Sequence, residues 1–144
     1  MSRQSVASDS WNVYHTTVNP IIPEDTPIIW VSNVPFALDE SITGFPVNTI
    51  RSLPSDGIVM TVIGPREYTG KTTFPAAKFP LTIDQGFCSS DEYESQLAPH
   101  VSACLVDTIV GDKLLNVTIW FGTNEPWVAL YEQANAKLAT LVPS

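Results

Sequence analysis

Prolines at positions 20, 23, 27, 35, 46, 54, 65, 75, 80, 99, 126 and 143 cut this 144-residue chain into short pieces. A proline inside a helix removes a backbone donor and clashes with the turn before it, so long helices are excluded over most of the length. Strands fit the spaces that remain. Stretches enriched in Val, Ile, Thr and aromatic residues fall between the breaks at 11–18, 28–34, 57–63, 80–83, 101–110 and 113–121, and each is predicted to be a strand.

The last two of these form the clearest unit. Gly111-Asp112 separates them, a pair suited to a two-residue hairpin turn with positive φ at glycine. Such a turn fixes the register, setting Val110 opposite Lys113, Thr108 opposite Leu115, Val106 opposite Val117 and Cys104 opposite Ile119. One face then carries Cys104, Val106, Leu115, Val117, Ile119 and Phe121, and is predicted to point inward. The other mixes Asp107, Asn116 and Thr118 with Leu105, Ile109 and Leu114, and is expected to be only partly covered.

One helix is predicted, at the C-terminus. Thr123 or Asn124 can cap it, Glu125 suits the positive end of its dipole, and Pro126 is tolerated in the first turn. Trp127, Tyr131, Ala134, Leu138 and Leu141, with Leu130 beside them, make an apolar stripe, while Glu132, Gln133, Asn135 and Lys137 fall on the other face. The expected fold is therefore α+β: an antiparallel sheet of five to six strands with this helix packed on it. A partly closed, barrel-like sheet is the variant kept open. Residues 1–144 are read as a single domain, with 1–10 as a flexible N-terminal tail.

Charge narrows the partners. The chain has 7 Lys and Arg against 15 Asp and Glu, a net charge of −8. Nucleic-acid binding depends on basic clusters that release counterions from phosphates, and an anionic membrane surface repels an acidic domain. Neither nucleic acid nor direct membrane insertion is expected, and no stretch approaches the ~20 apolar residues of a membrane helix. The N-terminus lacks the apolar core of a signal peptide, so an exported protein would take its signal or anchor from outside these residues.

Cys88 and Cys104 bear on compartment. They are either two buried thiols or a disulfide that closes a loop of about 17 residues, worth roughly 3 kcal/mol in the chain-entropy model. Tying a polar loop to a strand favours the bridge. A bridge implies an oxidising, extracytoplasmic location.

The search for chemistry finds no complete constellation. Residues 57–73, GIVMTVIGPREYTGKTT, end close to a nucleotide-binding loop, yet the position of its first glycine holds Pro65, which has no amide hydrogen to offer a phosphate. Thr72-Thr73-Phe74-Pro75 cannot open the helix that such a loop requires, so no nucleotide is expected. Cys88 could couple with His100 or His15, but a disulfide would consume that nucleophile. Two widely spaced histidines and two cysteines do not match zinc spacings, and Asp91, Glu92 and Glu94 lack the EF-hand pattern. No metal and no cofactor are expected.

Trp11, Trp30, Trp120 and Trp127 are many for this length. Trp120 falls on the hairpin's second face, where it is either covered by the helix against Trp127 or, with Trp11 and His100, part of an exposed contact surface for a protein or a carbohydrate.

The segments Leu53-Pro54-x-Asp56-Gly57-Ile58-Val59, Ala98-Pro99-His100-Val101 and Trp120-Phe121-Gly122, followed by the closing helix, resemble stretches of uncharacterised bacterial proteins that carry an exported domain behind an N-terminal anchor. The resemblance spans residues 28–143. It implies a location outside the cytoplasm and no particular activity, and the two cysteines are not part of its pattern. Together these features predict an extracytoplasmic, non-enzymatic binding or assembly domain, secreted or anchored, with unpaired sheet edges that would suit a homo-oligomer. The alternative is a small hydrolase using a carboxylate with His100 near the Cys88 loop.

Overall fold

A computed structural model describes residues 11–16, 26–35, 47–68, 70, 73–83, 88–89 and 100–142, with the backbone alone for 14–16, 47–48 and 88–89. Its strands are β1 (Asn12–Thr16), β2 (Ile28–Ser32), β3 (Ile58–Arg66), β4 (Cys88–Ser89), β5 (Ser102–Val110) and β6 (Lys113–Phe121). Two helices accompany them, α1 (Val47–Arg51) and α2 (Val128–Leu141). All neighbouring strands pair antiparallel in the order β1-β2-β3-β6-β5-β4. The two-residue β4 is the least of them. The sheet is open, with β1 and β4 at opposite edges, so the barrel-like variant is corrected; the α+β architecture with its C-terminal helix stands.

The β5–β6 hairpin has the register that its turn dictates, from Val110↔Lys113 through Cys104↔Ile119. Gly111 supplies the positive φ, at 69°. β3 runs past its predicted end. A register shift between Ile63 and Arg66 accommodates Gly64, whose φ is 111° and whose position leaves a would-be Cβ 2.7 Å from the Leu114 carbonyl oxygen. Only glycine fits both demands.

Both sheet faces bury apolar side chains. On one, Val31, Met60, Val62, Cys104, Val117, Ile119 and Phe121 pack beneath Leu130, Ala134 and Leu138 of α2. Tyr131 meets Phe121 edge-to-face at 5.2 Å. On the other, Ile28, Trp30, Val59, Ala103 and Trp120 meet Ile50 of α1 and Leu53 just beyond it. The five-residue α1 gave no periodic signal in the sequence, because one turn is too short to show one.

α2 starts later than its expected caps. Trp127 is the N-cap and makes no side-chain capping bond, while Thr123 Oγ1 accepts the Glu125 amide 3.1 Å away in a separate turn. Pro126 thus stands before the cap rather than in the first turn. Asn135, assigned to the outer face, instead accepts the Ile83 amide at 2.7 Å and donates to the Ile83 carbonyl at 2.9 Å. This explains why residues 80–83 alternate like a strand, with Leu81 and Ile83 buried, without joining the sheet. A side-chain amide takes the place of a neighbouring backbone.

No helix among the described residues is long and apolar enough to cross a membrane. Residues 1–10 lie outside the described part of the chain.

Candidate functional site

Four separated segments meet at the end of the sheet where β3 begins and β6 finishes. A turn after α1 closes with the Gly57 amide donating to Pro54 O at 2.8 Å. The Gly122 amide donates to Gly57 O at 3.0 Å, and a Cβ on Gly122 would lie 1.8 Å from Pro54 O. Glycine at 122 is therefore what lets the chain leaving β6 press against this turn. From β2, Asn33 Oδ1 accepts the Ile58 amide at 2.8 Å while Asn33 Nδ2 donates to Asp56 O at 3.1 Å. Ser102 Oγ donates to Thr123 O at 2.8 Å, tying the start of β5 to the same corner. Backbone and side-chain bonds from four segments make a stiff frame.

His100 completes it. Its exposed ring donates from Nε2 to Leu53 O across 3.0 Å, which in the neutral imidazole leaves Nδ1 as an acceptor. An open pocket of about 550 Å³ lies here, lined by Ser55, His100, Gly122, Thr123 and Asn124. The lining offers hydroxyl, amide and imidazole groups, with no carboxylate among the described lining residues. Pockets of roughly 300–1,000 Å³ are the usual size for small ligands. The segments quoted above from 53–59, 98–101 and 120–122 thus converge in space, as far as they are described.

The other nominated residues lie elsewhere. Trp120 is only 6% exposed and stacks on Trp30, ring centroids 5.9 Å apart and 17° from parallel, on the face away from α2. It is neither a surface contact nor a partner of Trp127, which is 46% exposed. Trp11 is half-buried against the helix-side core, with Lys137 Nζ 5.9 Å from its ring centroid. His100, Trp11 and Trp120 do not form one surface. Cys104 is fully buried and Cys88 stands directly opposite it in the backbone register. His15 pairs with Ile29 in the β1–β2 ladder, and its side chain is outside the description, as are Asp91, Glu92 and Glu94. Among the described residues no group of three His, Cys, Asp or Glu side chains is placed to hold a metal ion. No helix occurs in the described residues 73–83 after Gly70, so the near-match to a phosphate loop lacks its helix here.

A second pocket, of about 540 Å³, lies between residues 75–82 and β5, with Pro75, Pro80, Leu81 and Leu105 among its lining beside Lys78 and Asp107. Its outer wall is held by the Ala77 amide donating to Ile109 O at 2.8 Å and by Thr108 Oγ1 donating to Pro75 O at 2.8 Å.

Ser55 was not singled out from the sequence, and Thr123 and Asn124 were read only as helix caps, since isolated polar loop residues give no sign of a shared site until the fold brings them together. Comparison with known proteins finds no match to any family model, to any curated protein or to any solved structure. The resemblance to exported bacterial domains accordingly rests on its short segments alone.

Proposed function

We propose that this chain is an extracytoplasmic, non-enzymatic binding module that takes a carbohydrate at the His100 corner. The observation that carries the reading is the pocket lining: Ser55, His100, Thr123 and Asn124 offer uncharged donors and acceptors on a braced frame. Neutral hydroxyl-rich ligands are recognised by groups of this kind, and the bracing lowers the cost of ordering them. The proposed compartment follows from a Cys88–Cys104 bridge. It is supported by the direct register pair, because opposed residues in antiparallel strands come within bridging distance, and by the lack of a free cysteine among the described residues.

Screening the purified chain against an array of neutral glycans tests the ligand class. His100→Ala and Asn124→Ala should each weaken a positive signal by about tenfold, the equivalent of one lost hydrogen bond of roughly 1.4 kcal/mol. An array without signal, or variants that bind like the parent, would refute the carbohydrate reading.

The hydrolase reading retains one supporting observation, that His100 lines an open pocket. It needs a carboxylate within reach of the ring, and the described lining has none, so it ranks second. Turnover of simple esters or glycosides that His100→Ala abolishes would reverse the order.

A further inference from the structure

We propose that the sheet face away from α2 carries a second site, independent of the His100 corner, for a small monocarboxylate with an apolar body, held by Arg66 and Thr61. Register places Thr61, Thr118 and Leu105 in one row across β3, β6 and β5, and Ile63, Asn116 and Asp107 in the next. Polar residues thus form an inlay beside the apolar cluster of Trp30 and Trp120 on the same face. Arg66 joins this inlay, its Nη2 donating to Asn116 Oδ1 at 3.4 Å, and Asn116 Nδ2 in turn donates to Asp107 Oδ1 at 2.7 Å.

Two polar atoms here are out of balance. Thr61 is 3% exposed and its Oγ1 has no hydrogen-bond partner; Arg66 Nε is likewise buried without one. A buried donor left unpaired is costly, and native chains keep few of them without a functional reason. Arg66 Nε can only donate and the Thr61 hydroxyl is able to donate, so one oxygen acceptor would satisfy both.

Charge selects the acceptor. Asp107 reaches Arg66 only through Asn116, which steers the guanidinium without neutralising it by contact. One positive and one negative group within a chain of net charge −8 favour a singly charged anion over a dianion. Leu105, 44% exposed, and the half-buried Ile63 flank the polar rows and supply the apolar contact. A carboxylate on a short hydrocarbon body meets all of these conditions.

Octanoate is the probe, with octanol as its uncharged counterpart and inorganic phosphate as the charge without the body. Calorimetric titration and thermal unfolding of the whole chain should show octanoate binding and raising the midpoint by several degrees, while the other two do neither. Thr61→Val removes the orphaned hydroxyl at constant shape, so it should raise the ligand-free midpoint by a few degrees yet weaken octanoate by about tenfold or more. Arg66→Gln should abolish binding, and if that variant does not fold, Thr61→Val decides alone. Absence of an octanoate effect on the parent chain, or equal affinity in the variants, would overturn the site. A Thr61→Val midpoint that rises with affinity unchanged would also overturn it, the hydroxyl then holding no more than a buried water.

Discussion

At Gly122 one hydrogen decides whether the His100 corner can form. A methyl group there would overlap Pro54 O, and neither backbone can withdraw without losing the Gly122–Gly57 hydrogen bond. Gly122→Ala is expected to cost about 3 kcal/mol, the upper range for forced overpacking. A lower urea midpoint at unchanged slope is the readout, and an unchanged midpoint would show the corner to be looser than described. The requirement was visible in the sequence only as a glycine after Trp120-Phe121. Its reason was not, because Pro54 lies far away along the chain and no local pattern ties the two. The tryptophans teach the same lesson. Trp120 was correctly set on the hairpin's second face, but what covers it is Trp30, a residue whose distance in sequence hides the contact.

Among the elements, the β5–β6 hairpin was legible down to individual partners, since a two-residue turn leaves a single register. The end of β3 was not, because glycine and proline read as punctuation in a sequence even where a strand absorbs them in a bulge. The buried stripe of α2 was legible in Ala134 and Leu138, while its start was displaced to Trp127. That start is open to improvement. Trp127 caps nothing and stands 46% exposed, and the first turn holds no acidic residue. Trp127→Asp should add about 1 kcal/mol through a side-chain cap and a favourable dipole, seen as a rise of a few degrees in melting temperature. Asn135 works in the opposite sense. Asn135→Ala removes both bonds to Ile83 and should cost about 2 kcal/mol. Limited proteolysis would then cut within residues 73–83 faster than in the parent; equal rates would mean that Leu81 and Ile83 hold the segment by burial alone.

For the whole molecule, the proposed Cys88–Cys104 bridge makes redox state a determinant of stability. Reduction should lower stability by roughly 3 kcal/mol and add two hydrogens to the intact mass. Alkylation of both sulfurs without reductant would remove the support for an extracytoplasmic setting. Fold class was legible because proline spacing and β-rich stretches agree across the chain. The His100 corner was not legible as a site, since its lining is drawn from two separated turns and a strand's approach, none of which carries a motif for binding. The bulge in β3 shows how little it takes to set the character of a whole face. Ile63 and Arg66 are an odd number of positions apart, which in a regular ladder would send them to opposite sides. Asn116 and Leu114, their partners, are an even number apart and share a side. The surplus position therefore works as a parity switch, delivering a guanidinium to the polar rows. A β3 shortened by one residue would aim that same cation at the greasy underside of the terminal helix.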